Sequence, residues 1–226
     1  MRPFRLPGGE RAVKEPRRAA LGLLYEIYGD AVFEQTNLSL LNTFNAQERG
    51  VLRTILELHC NTPVTTSAGR LFDAVVAIAG LRQFVQFEEQ AAMELEFALD
   101  DHADAGAYPF TLREQNHLLV IDWEPMIRAV VADVQRQAPI GWIAEQFHAA
   151  LVDMIVAVAQ RIGEERVVLT GGCFQNKYLI EHAVQRLRAA GFHPYWHQRV
   201  PPNDGGIALG QAVAAAAGMR HVPEQG

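Results

Sequence analysis

Two glycine-rich turns in the last third of the chain constrain its fold more than any other feature. The apolar run 167–169 is typical of a buried strand, and Gly171-Gly172 turns the chain before a helical pattern over 177–190. A second strand is predicted over 192–197, where Pro194 indicates an edge position. Strand, helix and strand in this order predict a parallel pair. The last third is therefore α/β.

The preceding residues have mainly helical patterns. Pro16 fits a first helical turn, and Ser67 is a candidate N-cap. Polar residues 113–116 indicate a hairpin between two short strands. We predict an α/β fold with a largely helical N-terminal part, divided into a helical subdomain over 1–104 and an α/β lobe over 105–226. The predicted helices are 15–29, 46–58, 68–80, 88–99, 124–135, 140–162 and 207–218, and the hairpin strands are 108–112 and 117–121. The helix over 46–58 is predicted to have one apolar face formed by Val51, Leu52, Ile55 and Leu58.

Composition and charge narrow the class of protein. The 226 residues are 49% hydrophobic, with a formal net charge of −6, so the surface as a whole does not attract nucleic acid. Two cysteines without CxxC spacing fit a reducing cytoplasm. The apolar stretch 149–159 is too short to span a bilayer and contains Asp153, and no signal peptide precedes it. We therefore expect a cytoplasmic protein without membrane or nucleic-acid partners.

The first candidate site is the turn after the strand at 167–169. Gly171 and Gly172 lie between a strand and a helix, where backbone N–H groups and the helix dipole favour an anion. Asn176 offers an amide donor and acceptor to a ribose or a base. A tight turn without a ligand explains the same spacing equally well.

The second candidate is the Pro-Pro-Asn-Asp-Gly-Gly loop over 201–206. Asp204 lies at a helix start, where its carboxylate either caps the helix or binds a metal. Capping is the better explanation of Asp204 alone, since one carboxylate is not a metal site. In an open α/β sheet, however, the loops at the carboxyl ends of parallel strands face one crevice.

The third candidate is the segment 65–73. Gly69 and Asp73 are four residues apart, so they share one helix face near hydroxyls that could contact a nucleotide. A capped helix with a solvent-exposed salt bridge is the favoured explanation of the spacing alone. Cys173 and His148 are interpreted as core residues rather than a nucleophile and a metal ligand. The sequence identifies no catalytic residue.

Taken in order, these motifs resemble the C-terminal part of the HypF carbamoyltransferases. The resemblance covers nearly the whole chain, and several ordered motifs are more specific than any one of them. It rests on residues 2–9, 15–17, 65–75, 87–96, 169–176 and 200–211.

The resemblance implies one lobe of a Kae1-like, actin/hexokinase/Hsp70-type (ASKHA, ribonuclease H-like) fold. It also implies an ATP- and carbamoyl-phosphate-dependent transferase. Such an enzyme forms a carbamoyl-adenylate and carbamoylates the C-terminal cysteine of HypE in [NiFe]-hydrogenase maturation. By motif, ATP with Mg²⁺ would contact Gly69, Asp73, Gly171, Gly172 and Asn176. In the complete domain, Asp204 would be one ligand of a divalent iron or zinc ion.

The sequence also departs from the family pattern. Glu89 replaces a usual glycine, and Cys173 replaces a usual valine. In the family, an acylphosphatase-like domain, zinc-finger motifs, a YrdC-like domain and the N-terminal half of the ASKHA domain precede this region. We therefore expect the isolated chain to be inactive and to need that half as a partner. The alternatives are a non-catalytic lobe that docks HypE or the missing half, and an O-carbamoyltransferase of the antibiotic type.

Overall fold

Caps and proline fix the beginnings of several helices. In this computed structural model, which describes residues 1–35, 38–100 and 106–219 (only the backbone of 218–219), Pro16 occupies the first turn of its helix. Asn45 and Glu48 form a reciprocal capping box, and Ser67 accepts a hydrogen bond from the Arg70 N–H. The Ser67 prediction is therefore confirmed. Each side chain satisfies an N–H group that has no partner within its helix.

Two compact units are distinguished by their internal contacts, Met1–Ile155 and Val156–Gly226. The boundary predicted between 104 and 105 lies in 101–105, outside the described residues, and stays a prediction. The first unit contains strands β1 Phe4–Arg5, β2 Val64–Thr65, β3 Thr111–Gln115 and β4 Leu118–Asp122, and helices α1 Arg11–Lys14, α2 Pro16–Tyr28, α3 Ala46–Glu57, α4 Ala68–Ile78, α5 Gln90–Phe97 and α6 Glu124–Gln135.

The helix α7, Ile140–Ile162, begins in the first unit and ends in the second. The second unit continues with β5 Arg166–Leu169, α8 Lys177–Ala189, β6 His193–Trp196 and α9 Ile207–Met219. β5 and β6 are parallel, as the sequence predicted. The predicted helices are confirmed, and those over 124–135 and 140–162 match α6 and α7 at both ends.

The core of the first unit forms around α2 and α4. Leu21, Leu23 and Leu24 of α2 are fully buried, and nearly the whole of α4 is buried with them. Phe72 of α4 meets Phe147 of α7 edge to face, with ring centroids 4.9 Å apart. Gly22 lets the chain at Arg5 approach α2 closely.

Three details of the sequence prediction were wrong. α3 buries Leu52 and Leu56, whereas Val51 and Leu58 are exposed, because the core lies on a neighbouring face of the helix. The hairpin turn is Asn116-His117, both with positive φ, and 113–115 belong to β3. In β5 only Leu169 is buried. Val168 is 69% exposed because the side chains of a strand alternate between its two faces, and Val167, on the face of Leu169, is half-buried.

The helix α7 has the predicted bounds and extends beyond the apolar stretch 149–159 in both directions. It is the only helix in the described part of the chain whose length and composition would allow it to cross a membrane. Ile143, Phe147 and His148 are at most 1% exposed inside the first unit. This burial is that of a core helix, and it confirms the core position predicted for His148.

Glu89 has a left-handed backbone at a position where the resemblance implies a glycine. Its φ is 68° and its ψ is −3°, immediately before α5. This conformation costs a residue with a side chain about 1–2 kcal/mol. We therefore expect Glu89→Gly to raise the free energy of unfolding by about 1 kcal/mol in urea denaturation. Gln86→Gly, in the same loop without positive φ, should lower it; an equal effect of both changes would contradict the explanation.

Candidate functional site

The loops that follow β5 and β6 are joined at the carboxyl ends of the two strands. Leu169 pairs with Trp196 in the parallel register, and the next position is bridged by side chains, with Thr170 Oγ1 2.9 Å from His197 Nε2. One residue further, the Gly171 N–H donates to the Pro202 carbonyl at 3.0 Å. The two predicted loops therefore lie side by side.

The glycine turn has a backbone shape that only glycine adopts readily. Gly171 has φ 105° and ψ 161°, and a Cβ at this position would meet no atom within 4 Å. Its N–H is already donated to Pro202, so this amide does not face an anion as the simplest reading of the motif suggests. Gly172 begins a 3₁₀ turn over 172–175, and its own amide has no partner inside the turn.

Asn176 is a helix cap as well as a candidate ligand contact. Its Oδ1 accepts the Leu179 N–H at 2.8 Å, and the residue is 8% exposed. This bond fixes the start of α8 directly behind the glycine turn. The positive end of the α8 dipole therefore lies beside the turn.

Asn203, rather than Asp204, caps the last helical segment. Its Oδ1 accepts a hydrogen bond from the Gly205 N–H at 3.1 Å. The chain approaches itself so closely in this loop that a Cβ on Gly206 would lie 2.7 Å from the Pro201 carbonyl oxygen. Capping therefore does not explain the presence of Asp204, which is exposed to solvent.

Asp204 suits one carboxylate ligand of a hard or borderline cation but does not form a metal site with its surroundings. Within 1–35, 38–100 and 106–219, no group of three or more His, Cys, Asp and Glu side chains could hold a metal ion. Metal binding needs several ligands in a defined geometry. The residues of this chain therefore do not fit a metal ion unaided.

Asp73 is a buried carboxylate in the first unit, on the same face of α4 as Gly69. It is 4% exposed, and its Oδ2 lies 2.7 Å from an Arg70 guanidinium nitrogen. Burial raises the pKa of Asp73 to about 6, Glu88 adds to the rise, and Arg70 opposes it. The salt bridge that the sequence analysis placed in solvent is therefore largely buried. A carboxylate whose pKa is strongly raised by burial is typical of a functional site.

The raised pKa of Asp73 makes stability depend on pH. Between the ordinary value of 3.8 and about 6, the folded state holds a proton that the unfolded state has released, so stability falls as pH rises through this window. Relative to wild type, the free energy of unfolding of Asp73→Asn should therefore increase by up to about 3 kcal/mol between pH 4 and pH 8.

Denaturant unfolding at a series of pH values measures this difference. The exposed Asp204→Asn serves as the control, with an expected change within about 0.5 kcal/mol. A difference between wild type and Asp73→Asn that is constant with pH would contradict the assignment of a costly buried carboxylate.

The structure brings some of the predicted residues together. Gly171 and Gly172 lie on the loop bonded to Pro202, two positions before Asp204, and Asn176 caps the helix that follows. Gly69 and Asp73 belong to the other unit and are described there. The sequence missed the contact between Thr170 and His197, since it emerges only once the strand register is known.

A parallel strand pair with joined carboxyl-end loops, a glycine-only turn and an adjacent helix N-terminus is the arrangement with which α/β proteins bind phosphates. Comparison with known proteins makes the class specific. Residues 1–211 match the family model described as "Carbamoyltransferase, Kae1-like Domain, second subdomain". The chain belongs to the HypF carbamoyltransferase family.

Several proteins named as HypF carbamoyltransferases are similar to nearly the whole chain. It is 36% identical to the carbamoyltransferase HypF of Synechocystis sp. over 98% of its length, and 37% identical to that of Rhodobacter capsulatus over 96%. It spans only 30% and 28% of those two proteins. The chain is also 30% identical to a HypF homolog of Cupriavidus necator and spans 59% of that protein's length.

Solved structures confirm the predicted fold. A full-length HypF crystallised in a phosphate- and nucleotide-bound form aligns with a TM-score of 0.86 at 34% identity, over 95% of this chain and 28% of that one. The T. kodakarensis HypF aligns with a TM-score of 0.73 at 22% identity, which bears on the fold alone. The chain is thus an α/β lobe of the Kae1-like type with a largely helical N-terminal part.

Proposed function

We propose that this chain supplies one wall of the ATP site of a carbamoyltransferase. The observation that carries the proposal is the joining of the glycine turn to the Pro-Pro-Asn-Asp-Gly-Gly loop through Gly171 and Pro202. This arrangement places helix N-termini and a carboxylate at the carboxyl ends of parallel strands, where α/β proteins bind phosphates. Similarity to a HypF structure described as nucleotide-bound supports the same ligand.

Individual residues have distinct roles in this proposal. The Gly172 amide and the N-terminus of α8, fixed by Asn176, face the phosphates or the adenosine of ATP with Mg²⁺. Gly69 leaves space on α4, and the buried Asp73 accepts hydrogen bonds from the nucleotide. Asp204 would provide one ligand of a divalent iron or zinc ion, and the other ligands would come from outside the described residues.

The proposed reaction has two transfers. Water first hydrolyses carbamoyl phosphate to carbamate and inorganic phosphate. The carbamate oxygen then attacks the α-phosphorus of ATP, so that carbamoyl-adenylate forms and pyrophosphate leaves. The thiolate of the C-terminal cysteine of HypE then attacks the carbamoyl carbon, and AMP leaves. We infer that this occurs in the cytoplasm and that the isolated chain does not catalyse it, since a single wall leaves the intermediate open to water.

A nucleotide titration tests the proposed wall. We expect ATP with Mg²⁺ to shift the amide NMR resonances of Gly172, Asn176 and Asp73, with affinity weaker than about 100 μM because half of the contacts are missing. Asp73→Asn should weaken binding further, and Gly50→Ala, exposed on α3, should not. Undisturbed resonances at these residues would refute the proposal that they contact the nucleotide. Submicromolar affinity would refute the proposal that this chain supplies only one wall of the site.

A second candidate is a non-catalytic interaction lobe, favoured by uncovered apolar residues in the second unit. Val168 and Tyr195 share the exposed face of the β5–β6 pair, and Ile207, Leu209 and Val213 of α9 are more than half exposed. Apolar patches of this kind mark interaction sites. Capture of HypE without carbamoyl transfer would favour this role, whereas transfer by the chain alone would exclude it.

A further inference from the structure

The second unit has a groove between α8 and β6 that lies outside the predicted nucleotide residues. The groove has a volume of about 330 Å³. Ile180, Val184 and the Trp196 ring provide its apolar surface, and Glu181, Gln185 and Arg188 provide its polar surface. A helix beside a strand forms the same kind of groove that several domains use to bind an extended peptide.

The strand β6 has an edge available for pairing. Within the described residues its sheet has two strands, so one edge of β6 pairs with no strand there. His193 donates its N–H to Glu165, which directs the backbone of His193 toward β5. Since backbone groups alternate between edges, Pro194 and Trp196 direct theirs outward. The outer edge therefore offers the Trp196 N–H and the carbonyls of Pro194 and Trp196, while the proline supplies no donor.

The charged side chains of the groove indicate which kind of segment would pair with this edge. The Arg188 guanidinium lies 5.3 Å from the centroid of the Trp196 ring, and Arg188 makes no ion pair with the described residues. Glu181, by contrast, already faces Lys177 at 3.9 Å. The groove is thus left with one uncompensated cation above an aromatic ring, which favours a carboxylate on the bound segment.

We propose that this groove binds an extended, acidic segment of a partner protein as an added strand on β6. The segment exchanges hydrogen bonds with Trp196 and donates one to the Pro194 carbonyl. It places an apolar side chain against Val184 and Trp196, and a carboxylate on Arg188. The proline leaves one acceptor of the segment without a donor, so pairing extends over only a few residues.

Hydrogen–deuterium exchange and NMR titration with defined peptides test the proposal. The probe is an acetylated, amidated hexapeptide of alternating valine and glutamate, compared with its valine–lysine counterpart. We expect the acidic peptide to slow exchange at the Trp196 N–H about tenfold and the lysine peptide to leave it unchanged. N-methylation of the acidic peptide at every second residue should abolish the effect, and this measurement needs no variant of the protein.

Two arginine variants on the same helix distinguish binding in the groove from non-specific electrostatic attraction of the acidic peptide. Arg188→Gln should lower the affinity for the acidic peptide about tenfold. Arg186→Gln, on the same helix outside the groove, should leave that affinity unchanged. Equal binding of both peptides, or no protection at Trp196, would overturn the proposal. Protection that rises with protein concentration in the absence of peptide would overturn it in favour of a second copy of this chain.

Discussion

Gly22→Ala is expected to destabilise the protein by more than about 3 kcal/mol, enough to prevent folding of a marginally stable chain. A Cβ at this position would lie 1.9 Å from the Arg5 carbonyl oxygen and 2.8 Å from Pro7 Cδ. Both contacts involve backbone or ring atoms that have no other rotamer. The added methyl group therefore forces apart α2 and the chain around β1.

Gly50→Ala is the matched control for this change. Gly50 lies within α3, and a Cβ there meets no atom within 4 Å. Alanine should stabilise that helix by about 0.5–1 kcal/mol because it loses less backbone entropy on folding. Urea unfolding, or soluble yield for a variant that does not fold, measures both. Stability of Gly22→Ala within about 1 kcal/mol of wild type would contradict the close approach.

Arg17→Met is expected to cost about 3–5 kcal/mol, because it leaves a buried acid without a full set of partners. Arg17 is 4% exposed and donates to Glu15 Oε2 at 2.9 Å and 3.1 Å, to Glu48 at 2.9 Å and to the Thr43 carbonyl. Its guanidinium also contacts the aromatic rings of Phe44 and Phe84, each with its centroid 4.3 Å away.

The loss should depend on pH in a defined direction. Burial opposes ionisation of Glu15, but hydrogen bonds from Arg18 and Arg17 outweigh it and hold the pKa of Glu15 below its usual value of 4.5. A lowered pKa stabilises the fold above pH 4.5, and that contribution disappears as pH falls through the folded value. The difference between wild type and Arg17→Met should therefore shrink toward pH 3.

Arg53→Met is the control, since Arg53 also pairs with several acids but is 42% exposed. A surface network of this kind contributes little to the free energy of unfolding, because water and salt screen its charges. Thermal or urea unfolding of the two variants at pH 3 and pH 7 makes the comparison. Equal losses in both would show that burial of the Arg17 cluster is not the source of its contribution.

Local patterns predicted the helices because the information they need lies within a few residues. Proline at the start of α2 and the Ser67 cap mark two beginnings without reference to the rest of the fold. The buried face of α3 was mispredicted, since Val51 and Leu58 are as apolar as Leu56. Only the position of the neighbouring elements decides which of them is covered.

The candidate site was predictable in position but not in its bonding. Glycines after a strand indicated the turn, and the parallel pair implied that the two loops meet. The strand register determines that Thr170 faces His197 and that the Gly171 amide is donated to Pro202. Such pairings join residues about thirty positions apart, and spacing along the chain does not encode them.

Replacement of the corresponding segment of Synechocystis HypF by this chain tests the central claim most directly. The measurement is carbamoyl phosphate- and ATP-dependent transfer of labelled carbamoyl to HypE. We predict that the chimera transfers the label, and that Asp73→Asn in the chimera reduces the rate by at least about tenfold, the loss expected for one charge-assisted contact. A folded chimera that binds HypE but transfers no label would contradict the account.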